Sequence, residues 1–237
     1  MNIRKKILTR CGALLTAVLV LAPTALAAEA EIPYIPQTVP AAQLAPADQR
    51  GQEDWQLLLV NPWHTVPEGY EIKLATLSNG LQVDERIYDD LDDMLSDCRE
   101  AGLNPIVCSA YRTEATQTRL YRNKVARVRA SGVPEDRVEA EAARWVAKPG
   151  TSEHQTGLAL DIVAAGYQIL DEEQEDTAEQ KWLMENSWKY GFILRYPSEK
   201  SDITGIGYEP WHYRYVGKAA AADIYRTGVC LEEYLSQ

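Results

Sequence analysis

Short predicted strands and longer predicted helices follow one another irregularly through residues 54–237, which limits the fold classes open to the chain. The strand candidates are short runs rich in β-branched and aromatic residues, bounded by turn-forming residues. These candidates are EIKLATL, NPIVCSAY, LALDIV, FILRY and HYRYVG. No regular βαβ rhythm joins them, so the sequence predicts an α+β fold.

Five helices are predicted from apolar spacing and from the residues at their ends. DERIYDDLDDMLSDCREAG repeats apolar residues at helical spacing and ends at Gly102. TEATQTRLYRNKVARVRASG has Thr113 as a candidate N-cap. The remaining three are PEDRVEAEAARWVA, TAEQKWLMENSWKYG and KAAAADIYRTG.

Residues 1–27 have the pattern of a secretory signal peptide. Four basic residues lie within the first ten, residues 13–21 are apolar, and ALAAEA supplies the small residues of a cleavage site. An uncleaved N-terminal anchor is the alternative, since the apolar stretch reaches about residue 28 if Pro23 is tolerated. We therefore expect an exported protein of the cell envelope or the extracellular space. Contact with a membrane is expected only through this segment, if it stays uncleaved.

Residues 28–53 are rich in Pro and Ala and are predicted to be a linker to a single domain at 54–237. Cleavage after residue 27 removes four basic and no acidic residues, which leaves 20 Lys plus Arg against 35 Asp plus Glu. The net charge then moves from −11 to −15. We expect no nucleic-acid partner for so acidic a chain.

Three cysteines, Cys98, Cys108 and Cys230, would remain after cleavage. Three cysteines so widely spread do not make a disulfide framework. A single Cys98–Cys108 bridge and three small buried apolar residues are both compatible with the sequence.

Two segments combine histidine with a carboxylate. TSEHQTGLALDIV contains His154 and Asp161, and GYEPWHYRYVG contains Glu209 and His212. Imidazole and carboxylate groups suit zinc, and three protein ligands leave a fourth position for water. A separate carboxylate can take the proton of that water. The set offers His154, Asp161 and His212 as ligands and Glu209 as base.

The spacing within each segment requires an interruption of regular strand. Residues three or seven apart on a strand face opposite sides of the sheet. Gly157 can supply the irregular backbone in the first segment, and Pro210 would break strand pairing in the second. Spacing alone leaves open a purely structural interpretation, in which His154 caps a loop and His212 packs against Trp211.

SEHQTGLALDI together with EPWHYRYVG closely resembles the VanY-like D-alanyl-D-alanine carboxypeptidases, zinc enzymes that trim bacterial cell-wall peptides. The resemblance extends to SAYRTEATQ and to LVNPWHTVPEGYEIKLATLSNGLQVDERI, and so spans about residues 57–235. It implies a small antiparallel sheet flanked by helices, as in the zinc domain of Hedgehog proteins. It also implies one zinc ion per chain, with the ligands and the base at the positions given above.

The resemblance further implies substrate contacts. Arg112 would hold the free C-terminal carboxylate, because its planar guanidinium can bond both oxygens. Pairing of Arg112 with Glu114 or another acid is the alternative. Gln117 and Ser152 occupy polar positions that line the peptide pocket in relatives, although simple helix or loop hydrogen bonds would also explain them.

The activity implied is removal of the C-terminal D-alanine from peptidoglycan stem peptides by a D,D-carboxypeptidase. An L,D-carboxypeptidase acting on tetrapeptide stems has the same motifs and stays open. A zinc-stabilised wall-binding or signalling module is less favoured, because it has no use for Glu209. A dipeptidase acting in the cytoplasm conflicts with the predicted export. His64 is expected to have no ligand role, and Trp211 is expected to support His212.

Overall fold

The computed structural model describes residues 55–236. The predicted signal peptide or anchor at 1–27 and the predicted linker at 28–53 lie outside the described residues. Within the described part of the chain, no helix combines the length and the apolar character needed to cross a bilayer.

Strands and helices alternate along the described residues in the irregular order that the sequence predicts. The strands are β1 (Leu74–Thr76), β2 (Gln82–Asp84), β3 (Pro105–Ser109), β4 (Ala159–Ala164), β5 (Phe192–Leu194) and β6 (His212–Tyr215). The α-helices are α1 (Tyr88–Glu100), α2 (Glu114–Ala130), α3 (Glu135–Ala143), α4 (Ala178–Asn186), α5 (Ser201–Thr204), α6 (Lys218–Thr227) and α7 (Leu231–Leu235). The α+β prediction is confirmed.

Some element boundaries differ from the predicted ones. The first predicted helix starts late because Asp84 completes β2 and then caps a 3-10 turn at Glu85–Ile87. The fourth predicted helix ends at Asn186 and continues as a 3-10 helix, Ser187–Tyr190. Thr113 is the N-cap of α2 as predicted, since its Oγ1 accepts a hydrogen bond from Thr116 N at 3.2 Å.

Four strands form an antiparallel sheet in the order β3-β4-β6-β5, and β1 and β2 form a separate antiparallel pair. This arrangement confirms the small antiparallel sheet with flanking helices. In the central pair, Leu160 lies opposite Tyr213 and Asp161 lies opposite His212. Because successive side chains alternate between the two faces, each of these pairs occupies a different face of the sheet.

One face of the sheet is apolar and packs against α1 and α4. Leu160 and Tyr213 are fully buried there with Leu91 and Met94 of α1 and Leu183 of α4. Each fully buried large apolar side chain contributes roughly 1.5–3 kcal/mol to folding. The apolar face therefore fixes the register of β4 and β6, and the register sets Asp161 beside His212 on the other face.

The cysteines in the described residues are all free. Cys98 and Cys230 are buried, and Cys108 is exposed. The Cys98–Cys108 bridge that the sequence allowed is therefore not formed in this structure.

Candidate metal centre and active-site cavity

Interruptions of the regular strand backbone position the candidate ligands. His154 lies in a 3-10 helix, Glu153–Thr156, that ends at Gly157 with a φ of 71°. The chain then enters β4, which carries Asp161. In the second segment, His212 N donates to the Glu209 carbonyl at 3.1 Å, so the chain turns just before β6 begins. Both predicted interruptions of regular strand are present.

Three side chains converge on one point. His154 Nε2 lies 3.3 Å from Asp161 Oδ1, and His212 Nδ1 lies 3.2 Å from the same oxygen. One ligand atom from each residue falls within 4.8 Å of the others, and all three residues are buried. Glu209 Oε2 lies 3.6 Å from His212 Nδ1, at the edge of this group.

The outer nitrogens of both imidazoles have partners that orient the rings. His154 Nδ1 lies 2.8 Å from the Ala110 carbonyl, which leaves Nε2 toward Asp161. His212 Nε2 lies 3.3 Å from Glu153 Oε2, which leaves Nδ1 toward Asp161. Metal-binding histidines commonly use a carbonyl or a carboxylate in this way.

The hydrogen-bond partners of the Asp161 carboxylate indicate whether a cation fits between these groups. Its Oδ2 accepts a 2.6 Å bond from Arg112 Nη2. Its Oδ1 is buried and has no hydrogen-bond partner among the described residues, although two imidazole nitrogens surround it. A buried carboxylate oxygen without a donor is costly, and a metal ion held by two nitrogens and this oxygen would satisfy it. The residues therefore fit a zinc ion.

The pKa values around the site favour metal-binding protonation states at two of the ligands. Burial, together with the neighbouring Arg112, lowers the pKa of His154 to about 4. Burial opposes ionisation of Asp161, but His154 and Arg112 outweigh it and hold the Asp161 pKa well below its usual value. A neutral imidazole and an ionised carboxylate are the forms that bind metal.

Two further groups have raised pKa values. Burial raises the pKa of Glu209 to about 8. Burial lowers the pKa of His212, but the adjacent carboxylates of Asp161 and Glu153 outweigh it and raise the value to about 9. The carboxylates of Asp161 and Glu153 thus create a negative potential on the two sides of the His212 ring, which also favours a bound cation.

A cavity of about 770 Å³ opens over these residues. Its walls include Glu209, the three candidate ligands and residues of α2 and of the segment 145–147. The predicted substrate contacts also line it: these are Arg112, Gln117 and Ser152. A cavity of this volume can hold part of a peptide chain beside the candidate metal centre.

Comparison with known proteins identifies the family. Residues 80–218 match the VanY D-alanyl-D-alanine carboxypeptidase family. A D-alanyl-D-alanine carboxypeptidase of Enterococcus faecalis (strain ATCC 700802 / V583) is 48% identical over 194 residues, which cover 81% of this chain and 70% of that protein. The chain belongs to the VanY family. The resemblance predicted from the two motifs is confirmed.

Solved structures of VanY-family and related peptidases share this fold. A vancomycin-resistance D,D-pentapeptidase VanY mutant, in complex with Zn(II), has a TM-score of 0.70 and 48% identity, over 76% of this chain and 99% of that one. The LdcB LD-carboxypeptidase has a TM-score of 0.64 and 36% identity, over 78% of this chain and 88% of that one. The fold implied by the resemblance is confirmed.

Two of the predicted substrate contacts of this VanY-family chain, Arg112 and Gln117, have side chains with defined partners in the structure. Arg112 pairs with an acid, as the alternative allowed, although that acid is Asp161 and not Glu114, and its Nε donates to Ser109 Oγ at 2.9 Å. Gln117 Nε2 donates to the Ala147 carbonyl at 2.7 Å. Gln117 Oε1 is buried and has no partner among the described residues.

His64 lies away from the candidate metal centre, whereas Tyr196 and Trp211 lie close to it. His64 is exposed and bonds Asn61, outside the converging group. The aromatic side chain that packs on His212 is Tyr196, with ring centroids 4.7 Å apart, whereas Trp211 lines the cavity. Tyr196 has no recognisable sequence signal, because its nearness to His212 comes from the pairing of β5 with β6.

A buried ion network behind the site was not predicted from sequence. Glu153 Oε1 accepts bonds of 2.7 Å from Arg195 Nε and from Arg214 Nη1. Arg195 also makes two bonds to Glu232 of α7, at 2.7 and 2.9 Å. Both arginines are fully buried. The only sequence signal was the position of Glu153 beside His154 within the first motif.

Proposed function

We propose that this VanY-family protein is a zinc-dependent D,D-carboxypeptidase that removes the C-terminal D-alanine from peptidoglycan stem peptides. The convergence of His154, Asp161 and His212 on the unpartnered Asp161 Oδ1 carries the proposal, with Glu209 at the edge of the group. Similarity to the Zn(II)-bound D,D-pentapeptidase supports it.

The roles of the residues follow from their positions. His154, Asp161 and His212 hold one zinc ion per chain, and a bound zinc ion supplies Lewis acidity toward water and toward the scissile carbonyl. Glu209 lies beside His212 and faces the same cavity. It accepts the proton of the attacking water and donates it to the leaving D-alanine nitrogen.

Recognition of the free C-terminus is assigned to Arg112, with Gln117 and Ser152 beside it in the cavity. Ser109 and Asp161 fix the Arg112 guanidinium, so that it is already oriented when a peptide arrives. A preoriented guanidinium loses little freedom on binding a carboxylate. The unpartnered Gln117 Oε1 can accept a peptide N–H.

Release of D-alanine from defined stem peptides tests the proposal. The zinc-loaded protein is mixed with a pentapeptide stem, a tetrapeptide stem and a C-terminally amidated pentapeptide, and the products are followed by mass. We expect cleavage of the pentapeptide with a free C-terminus alone. Cleavage of the tetrapeptide alone would instead identify an L,D-carboxypeptidase, the activity named for LdcB, which is 36% identical to this chain. No release with zinc bound would point to a wall-binding module.

Replacement of the proposed base separates catalysis from metal binding. Glu209→Gln should lower kcat by about 10²–10⁴-fold, because a general base contributes that much. Zinc content should be unchanged, since Glu209 is not one of the three proposed ligands. Glu114→Gln, on the exposed start of α2, is the matched control and should keep full activity. Activity of Glu209→Gln near the wild-type level would refute the assignment.

We also propose that residues 1–27 direct export and either are cleaved or anchor the protein, and that residues 28–53 connect them to the peptidase domain. Peptidoglycan as the proposed substrate agrees with action in the cell envelope. The N-terminal sequence and the membrane or medium fraction of the native protein decide between cleavage and anchoring. Retention of the full-length chain in the cytoplasm would contradict export.

A further inference from the structure

Helix α2 lines the active-site cavity over several turns. Gln117, Leu120, Lys124 and Arg127 all line it, and their spacing of three and four residues puts them on one face of the helix. At a rise of 1.5 Å per residue, Lys124 lies about 10 Å further along the helix axis than Gln117. The cavity therefore extends well past the candidate metal centre.

Lys124 places a positive charge in this wall. It is half-buried, and its Nζ lies 5.4 Å from the centre of the Trp145 ring. No ion pair or hydrogen bond joins its ammonium group to another residue within 55–236. Lys200 and Lys218, by contrast, pair with carboxylates at 2.9 and 2.7 Å.

The surroundings of Lys124 favour binding of an anion. Burial and the nearby Arg127 lower the pKa of Lys124, and together they outweigh the opposite effect of Glu141 and Glu209. Arg127 is exposed, and its Nε reaches only the Asn123 carbonyl, at 3.5 Å. A partly desolvated cation beside a second cation is unfavourable until an anion binds. Lys124 and Arg127 therefore place two positive charges side by side in a cavity wall, in a chain of net charge −11.

We propose that Lys124, assisted by Arg127, binds a second carboxylate of the stem peptide, on the amino side of the scissile bond. This inference rests on the proposed function, in which Arg112, just before α2, holds the terminal carboxylate. An extended peptide advances about 3.3 Å per residue, so the roughly 10 Å between Gln117 and Lys124 along α2 corresponds to about three residues of a peptide that follows this helix. Lys124 is thus a specificity-determining residue and not a catalytic one.

Two groups of a stem peptide can supply a carboxylate at that distance. One is the α-carboxylate of a γ-linked D-glutamate at the second position, and the other is the side-chain carboxylate of a diaminopimelate at the third. Amidation of either group removes the charge while its shape stays nearly the same. The shared chemistry is a carboxylate that a lysine ammonium and a guanidinium can bind.

The test uses the zinc-loaded full chain and a matched set of pentapeptides. They carry D-glutamate or D-isoglutamine at position two, and lysine, diaminopimelate or its amide at position three. We expect wild-type kcat/KM to favour one carboxylate over its amide by about 10- to 100-fold, the effect of a hydrogen bond between charged groups. Lys124→Gln should abolish this preference and Lys124→Arg should keep most of it.

Arg122→Gln is the matched control, because Arg122 is on the same helix, is exposed and does not line the cavity. It should keep the wild-type preference. Loss of preference at position two in Lys124→Gln assigns the D-glutamate carboxylate, and loss at position three assigns diaminopimelate. A wild-type enzyme that cleaves all peptides equally, or a preference unchanged in Lys124→Gln, overturns the subsite alone. No release from any peptide overturns the proposed function and the subsite with it.

Discussion

At the scale of single residues, Glu153 connects the candidate metal centre with the buried ions behind it. One carboxylate oxygen lies 3.3 Å from His212 Nε2, and the other accepts bonds from Arg195 and Arg214. The Glu153 pKa is depressed because the two guanidinium groups outweigh the effect of burial, so the group stays ionised. An ionised Glu153 fixes which His212 nitrogen faces Asp161.

Glu153→Gln should therefore weaken both the fold and metal binding. Two buried guanidinium groups lose their shared anion, so we expect the free energy of unfolding to fall by about 3–5 kcal/mol. Zinc affinity should fall about 10- to 100-fold, since the orienting partner of His212 is weakened. Urea unfolding and competition with a zinc chelator measure the two effects. Glu135→Gln breaks an exposed pair with Arg129 and should change neither. Unaltered zinc affinity in Glu153→Gln would contradict the orienting role.

At the scale of elements, the turn at Gly157 sets the approach of the His154 segment to β4. Gly157 has a φ of 71°, and a Cβ added there would lie 2.9 Å from Asp84 N, at the end of β2. Gly157→Ala should thus combine backbone strain with a clash and displace His154. We expect a loss of stability well above the roughly 1–2 kcal/mol of left-handed strain alone, and reduced zinc content. Gly132→Ala is the matched control, since Gly132 has a φ of 85° and open space around it. Equal losses of stability in the two variants would show that the clash is unimportant.

Elements with a local signal could be predicted, and elements held by distant contacts could not. Thr113 was found as an N-cap and Gly157 as a break, because capping and left-handed backbone depend on single residue types. β2 and α7 were missed since each has only three to five residues and no clear periodicity. Pairing with β1 supports β2, and the Arg195–Glu232 pair ties α7 to the domain. The ligands were recognisable from two motifs, whereas the Glu153 network joins residues 42 and 61 positions apart.

At the scale of the whole molecule, the candidate metal centre joins segments that are far apart in the sequence. His154 and Asp161 lie on either side of Gly157, and His212 comes from β6, about fifty residues later. These ligands are close together only in the folded chain. A metal ion that binds them therefore stabilises the folded state relative to the unfolded one.

Removal of zinc should accordingly lower the thermal stability of the protein. Zinc at a free concentration one hundred times its Kd should add about 2.7 kcal/mol to the free energy of unfolding, so a chelator should lower Tm and added zinc should restore it. Glu209→Gln should keep this response, because its side chain is not a proposed ligand. His154→Ala should lose it, since two ligands remain in place of three. Melting curves of the three proteins, with and without zinc, thus distinguish ligand from base. A zinc response kept in His154→Ala, or lost in Glu209→Gln, would show that these roles are wrongly assigned.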